Sequence, residues 1–370
     1  MKILYGYLQS EGYNQRYNIT NTIISYLNRL NGAGFEVKPF CMNYSADKPM
    51  LPFRYLDKLW KFRDHDLFAL YNRFLHECED CDVFYNSVGV NFHPEFVSKL
   101  NIITVFGCND DPESSDILSK PVASAYDMCA VGNIAELNTY KSWGCRNVFW
   151  QPMGIWDNKF DPFLTMDDIL TRDRDIDLFM IIDRLSPYRR DRCNSIAQAF
   201  PDGHFYGRGW ERGYLPQDKE VEMLQRSKIG INIHNSTGPI NIRLFYLPAN
   251  GVLQICDNKS NLGKIFDLDK EVIGFDTIDE CIEKCHYYLN HIDEARWIAA
   301  NGWLRVHKDY NEIAVFQKLI DNINFFRCRK DINIPQIEIL EKPNALDKTR
   351  SYFFRKYIDA RRSLALKLKK

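Results

Sequence analysis

Four stretches of the chain place charged, polar or glycine residues where chemistry could be done. The apolar run Ile176–Ile182 ends in Asp183-Arg184-Leu185-Ser186-Pro187-Tyr188-Arg189-Arg190. Pro187 suits the first turn of a helix. Arg184 and Arg189 therefore stand around a strand-end and a helix start, where backbone N–H groups already favour anions. A guanidinium there can clamp a diphosphate bidentately. A solvated basic helix face paired with Asp183 and Asp191 explains the same residues equally well.

The second stretch, Lys228–His234, delivers His234, Asn235 and Ser236 to a strand-end. A glycine-bearing loop through Gly238 follows, then a helix carrying Asn241, Arg243 and Tyr246. Polar strand-end, glycine loop and helix start together predict an anion site. A lone histidine in such a place is more often structural, and these neighbours raise the weight of a ligand role. In the third, His204–Trp210, Gly207 and Gly209 let backbone approach a ligand, and Trp210 could stack on a base. A plain turn over a core aromatic is the simpler account. In the fourth, Ile102–Phe106 opens into Gly107-Cys108-Asn109-Asp110-Asp111-Pro112. Asp110 and Asp111 could bind sugar hydroxyls or remove a proton, or could simply cap a turn. The loop Gly12-Tyr13-Asn14-Gln15-Arg16 follows the first strand and lacks the GxGxxG pattern of a dinucleotide site. Cys78/Cys81 and Cys281/Cys285 have unequal spacings and argue against a zinc site, and no HExxH, GxxxxGK[ST] or GxSxG motif occurs.

The elements that must position these residues alternate. Strands are predicted at 2–8, 35–40, 82–86, 102–106, 128–131 and 147–150, with helices at 18–31, 55–77 and 133–143. A second series follows: strands at 176–182, 203–206, 228–233 and 252–256, helices at 187–200, 216–227 and 241–250, and helices throughout 277–328. Such alternation predicts parallel sheets covered by helices, in two Rossmann-like halves. Ligands in such sheets bind at the carboxyl ends of strands, here in an interdomain cleft. The boundaries read 1–155 for the first domain, 156–175 for a linker rich in Pro and charge, 176–330 for the second domain and 331–370 for a tail.

The 370 residues carry 48 Lys+Arg against 49 Asp+Glu, so the chain is not a general nucleic-acid binder. Nine Lys/Arg and one acid between Lys348 and Lys370 make that segment +8 and leave −9 for the rest. No run approaches the ~18 apolar residues that span a bilayer. The start reads as a strand rather than a signal peptide, and eleven scattered cysteines suit a reducing cytosol. A cytoplasmic protein is expected, with peripheral contact at the inner face of the membrane through residues 348–370 as one option. On a helix from about Ser351, Phe353, Tyr357, Ala360, Leu364 and Leu368 share one apolar face. The favoured expectation is that this face packs back on the first domain; the rival is a membrane helix.

Taken together, Tyr206-Gly207-Arg208-Gly209-Trp210, Ile231-Asn232-Ile233-His234, Arg243-Leu244-Phe245, Gly251, Tyr287-Tyr288-Leu289, Arg296-Trp297-Ile298-Ala299 and Gly302 resemble the CgeB-like glycosyltransferases, as do Asp110-Asp111-Pro112, Tyr126-Asp127, Tyr140, Gly144 and Pro152. The resemblance covers about residues 80–325. It implies a GT-B fold, α/β with two facing Rossmann-like domains, and transfer of a sugar from a nucleoside-diphosphate sugar without a metal or other cofactor. UDP- or GDP-sugars are the expected donors. Related family-4 retaining enzymes carry an Arg and a Lys after the corresponding strand, at the positions of Arg184 and Arg189, which with Asp110 and Asp111 form the expected catalytic set. The expected donor-binding set is Gly12, Arg16, Gly207, Gly209, Trp210, His234, Asn235, Gly238, Asn241, Arg243 and Tyr246. The two glutamates those enzymes use fall here on Gly238 and Tyr246, and loss of the second departs from the pattern. The acceptor could be a glycan, a protein, a lipid-linked sugar or modified nucleic acid. Rival functions are a GT-B nucleotide-sugar epimerase, a non-catalytic nucleotide-sugar-binding protein and a transferase acting on modified DNA.

Overall fold

The computed structural model describes residues 1–9, 19–235, 237–326 and 340–367. They form two units, one of Met1–Ala130, Asn138–Phe149 and Ile323–Lys370, the other of Val131–Leu137 and Trp150–Asn322.

Unit 1 runs β1 (Lys2–Tyr7), α1 (Ile19–Gly32), β2 (Glu36–Cys41), α2 (Phe53–Lys61), α3 (His65–Glu77), β3 (Val83–Asn86), α4 (Pro94–Val97), β4 (Ile103–Cys108), β5 (Met128–Val131), α5 (Leu137–Ser142) and β6 (Val148–Trp150), whose last residue belongs to unit 2. Its sheet has the order β2-β1-β3-β4-β5-β6. β1 lies parallel to both β2 and β3, and β3 to β4. β3 is buried at every position, as a strand covered on both faces must be. Chain order reverses between β1 and β3, which makes their carboxyl ends the topological switch point of the unit.

The long helix expected over 55–77 is two helices. Arg63 adopts a left-handed φ of 45°, and the Asp64 side chain accepts from the backbone N–H groups of Asp66 and Leu67 at 3.0 Å to start α3. Periodicity continues across the break because both helices bury the same kind of face, so only the cap marks it.

Unit 2 contains α6 (Met166–Thr171), β7 (Ile176–Arg184), α7 (Pro187–Ala199), β8 (His204–Arg208), α8 (Glu220–Gln225), β9 (Ser227–Asn232), α9 (Arg243–Ala249), β10 (Leu253–Cys256), α10 (Lys259–Leu262), β11 (Ile273–Gly274), α11 (Ile278–Asn290), α12 (Ile292–Asp309) and most of α13 (Glu312–Phe325). All its strand pairs are parallel, in the order β11-β10-β9-β7-β8. The switch point here lies between β7 and β9. Residues 156–175, expected as a linker, belong to this unit. Thr165 and Asp168 form a capping box on α6. Buried Arg174 donates to the carbonyls of Leu224, Ser227 and Asn250, tying two helix ends and a strand start together. Pro and charge in that stretch reflect caps and carbonyl clamps, not a flexible connector. Cys281 and Cys285 are buried in the apolar core of this unit.

The last helix, α14 (Ala345–Lys367), lies on unit 1. Ser351 donates to Asp64, Arg355 pairs with Asp64 and Asp66, Arg63 with Asp347, and Ile358 is buried. The apolar face expected to dock points the other way: Phe353 is 66% exposed, Tyr357 48% and Leu364 59%. Leu368 falls outside the described residues. Periodicity shows which residues share a face, whereas the acids Asp47, Asp64 and Asp66 on the body decide which face is drawn inward. Among the described residues no helix is long and apolar enough to cross a membrane.

Candidate functional site

The β7/β9 switch point collects most of the polar residues singled out in the second half of the chain. β7 ends at Arg184, whose side chain lies outside the described set. Ser186 follows at the start of α7, and its hydroxyl lies 2.6 Å from Asn235 Oδ1 in the loop after β9. Arg189, in the first turn of α7, is buried and donates to the Ile233 carbonyl at 3.3 Å. These two contacts bridge the segments on either side of the switch point.

Asn232 closes β9. Its Oδ1 accepts from Asn241 Nδ2 at 2.9 Å and Arg243 Nε at 3.2 Å, and its Nδ2 lies 3.3 Å from Gln254 Oε1. Asn241 in turn accepts from the Leu244 N–H and so starts α9. α9 has only seven residues, so side chains rather than its dipole must supply charge to a ligand.

His234 is nearly buried. Its Nδ1 faces Asp257 Oδ1 at 2.6 Å, and its backbone N–H donates to Asp257 Oδ2 at 3.0 Å. Arg192 reaches the same carboxylate at 3.4 Å. Burial pushes the Asp257 carboxyl up, but the hydrogen bonds and charge of His234, with Arg192 beside it, outweigh that and hold it below the usual aspartate value. An ionised carboxylate only accepts, so Nδ1 must carry the hydrogen. Nε2 has no partner among the described residues. Gly238 sits against this ring: a Cβ there would come within 2.9 Å of His234 Cγ. A side chain at 238 would displace the imidazole, which accounts for glycine at that position.

His234, Cys256 and Asp257 bring three ligand-type atoms within 4.8 Å of one another. Their surroundings do not suit a cation. Both Asp257 oxygens are engaged, by His234, Asn258 and Arg192, and burial holds the Cys256 thiol well up and therefore protonated. With Arg189, Arg192 and Arg243 around it, the cluster suits an anion.

The glycine turn lies beside this site. Gly207 and Gly209 take φ of 128° and 105°, values open mainly to glycine. The Leu185 N–H reaches the Arg208 carbonyl at 3.4 Å, and a Cβ on Gly209 would meet Leu185 Cδ1 at 3.3 Å. Trp210 packs on Phe205 with ring centroids 5.2 Å apart, so part of its ring belongs to the core. Tyr246 is a correction: it is 4% exposed, in a cluster with Ile176, Phe179 and Leu224. In a buried helix the position after Phe245 turns inward.

In unit 1 the acidic pair divides. Asp111 is 1% exposed and accepts from the Tyr140 hydroxyl at 2.5 Å. It serves the fold and is not open to an acceptor, which corrects its place in the catalytic set. Asp110 is exposed, and loss of water around it together with the Asp111 charge pushes its carboxyl upward, as befits a base. Gly12 and Arg16 lie outside the described residues. Sequence reasoning missed Asp257, Arg192, Asn232 and Ser186. Asp257 and Asn232 could have been found as polar residues closing adjacent parallel strands.

Residues 189–321 match the model of the glycosyl transferase-like family. No curated protein matches the chain. Similar solved structures include sucrose-phosphate synthase from Thermosynechococcus elongatus, with a TM-score of 0.61 at 11% identity. They also include Anabaena HepE in complex with UDP and glucose, at 0.56 and 12%, and with UDP-glucose, at 0.54 and 11%. Each similarity covers 88% of this chain and 100% of the other. At such identities the likeness carries the fold: the two parallel-sheet units are a GT-B fold, and the stretch that matches the glycosyl transferase-like model lies in the second.

Proposed function

We propose that this chain is a CgeB-like glycosyltransferase that moves a sugar from a nucleoside-diphosphate sugar to an acceptor, without a metal and with retention of anomeric configuration. The observation that carries the reading is the cationic, hydrogen-bond-rich switch point of unit 2, where Arg189, Arg192, Arg243 and the unpartnered His234 Nε2 gather. The match of residues 189–321 and the UDP-glucose bound by Anabaena HepE support the choice of donor.

Breaking the bond between the sugar's anomeric carbon and the phosphate oxygen leaves negative charge on the diphosphate. Fixed guanidinium groups stabilise that charge without reorganising, and the His234 ring adds to them by donating from Nε2 in its doubly protonated form, the task a cation performs elsewhere. Glycine at 207 and 209 lets the chain approach the donor closely. Asp110 is the unit 1 group suited to take the acceptor's hydroxyl proton. A thermal-shift series with UDP-, GDP-, ADP-, CMP- and dTDP-sugars in EDTA tests the donor, because a ligand of the native state must raise its stability. At least one of them raises Tm. Nucleotide release on adding acceptor mixtures, and the anomer formed, then separate transfer from binding alone. No stabilisation by any nucleotide sugar would refute the donor site.

A further inference from the structure

α14 presents two faces of different character. The inward one carries Asp347, Ser351, Arg355 and Ile358 and is fastened to unit 1 by ion pairs. On the opposite side Leu346 (55% exposed), Phe353 (66%), Tyr357 (48%) and Leu364 (59%) form one apolar stripe. At 100° per residue these four fall within a narrow sector. Arg350 and Arg361 flank it on one side, Lys356 and Lys367 on the other, all exposed. Among the described residues none of these four cations is in an ion pair. Arg361 meets only the Tyr357 hydroxyl and ring, and Lys356 only the Tyr352 ring.

We propose that this outward face of α14 docks the protein on an anionic lipid bilayer. An apolar stripe bordered by cations matches the boundary between acyl chains and anionic headgroups. Nucleic acid would satisfy the cations and leave Phe353 and Leu364 in water. A second feature points the same way. A cavity of about 610 Å3 runs along α14 at the carboxyl ends of β1 and β3, lined by Met50, Leu51, Val88 and Ile358 and by Arg54 and Arg361. Among the described residues Arg54 meets the ring and hydroxyl of Tyr55 and is in no ion pair. Arg362 and Lys48, also on its wall, pair with Asp47, so Arg54 and Arg361 are the lining cations outside any ion pair among the described residues, and with the apolar walls they suit an anionic amphiphile. The docking surface stands whether or not unit 2 takes a nucleotide sugar.

Flotation of the full chain with phosphatidylcholine vesicles, with and without phosphatidylglycerol, tests the surface. The wild type floats with the anionic vesicles, less so at high salt, and stays behind with phosphatidylcholine alone. The double variant Phe353→Ser/Leu364→Ser loses binding at least tenfold. Lys356→Gln/Arg361→Gln loses it roughly thirtyfold, from about fivefold for each charge removed. Both keep the wild-type Tm, since the altered side chains make no buried contact. Failure of the wild type to bind anionic vesicles at low salt overturns the proposal, as does unchanged binding by both variants. A dimer or a DNA complex that these substitutions abolish, in a protein that ignores vesicles, assigns the face elsewhere and also overturns it.

Discussion

Buried aspartates stand after a strand in each unit, and their fates differ. In unit 1, Asp111 accepts from Tyr140, a residue buried with it, and burial with the Asp111 carboxylate beside it holds the Tyr140 phenol protonated. That bond joins two parts of one fold. In unit 2, Asp257 grips a ring and a guanidinium, and the far nitrogen of the ring keeps its bonding capacity. A buried carboxylate whose partner is wholly consumed is a fastening. One whose partner retains an open polar atom orients that atom toward a ligand.

The contrast can be broken at several points, the largest effect first. Asp110→Asn should lower transfer at least about a hundredfold, the low end of general-base contributions, and leave donor affinity unchanged in calorimetry. Equal turnover would remove Asp110 from the chemistry. Asp257→Asn should cost about 2 kcal/mol of stability at neutral pH, as a charge-assisted buried bond is lost. The sign follows from its depressed pKa. The contribution is complete above the ordinary aspartate value of 3.8 and disappears as pH falls through the lower folded value. Denaturation curves of wild type and variant should therefore converge in acid and part above it. A difference that grows on acidification contradicts the pairing.

Arg243→Ala, whose guanidinium hangs on Asn232 by Nε alone among the described contacts, should weaken nucleoside-diphosphate binding about tenfold. Circular dichroism should stay unchanged. Tyr140→Phe should cost about 1 kcal/mol, seen in denaturant unfolding, with donor affinity intact. A loss of donor affinity there would mean that the unit 1 fastening is not confined to the fold.

The parallel sheets were legible because buried strands such as Val83–Asn86 and Ser227–Asn232 are mostly apolar, and the residues that follow them turn polar. His234, Asn235 and Gly238 were visible for that reason. Asp257 also closes an apolar strand and could be marked as polar there, but its pairing with His234 depends on β10 lying next to β9, and strand order is a property of the whole sheet. Asp110 and Asp111 read alike in sequence; only the position of Tyr140 separates them. The split at Arg63 and Asp64 was hidden for a local reason, since a capping aspartate inside an amphipathic run looks like one more polar position. On α14 the apolar stripe was correctly grouped and wrongly aimed, because carboxylates distant in sequence on unit 1 choose the docking face.

The central claim is that the β7/β9 switch point of unit 2 binds the diphosphate of a nucleotide sugar through fixed cations and an oriented imidazole. Calorimetric titration of the full chain with UDP and UDP-glucose in EDTA, repeated with His234→Gln and Arg243→Ala, measures this directly. Saturable binding without metal, weakened about tenfold in either variant, is the predicted result. Binding that requires a divalent cation, or that both variants retain at wild-type strength, would contradict it.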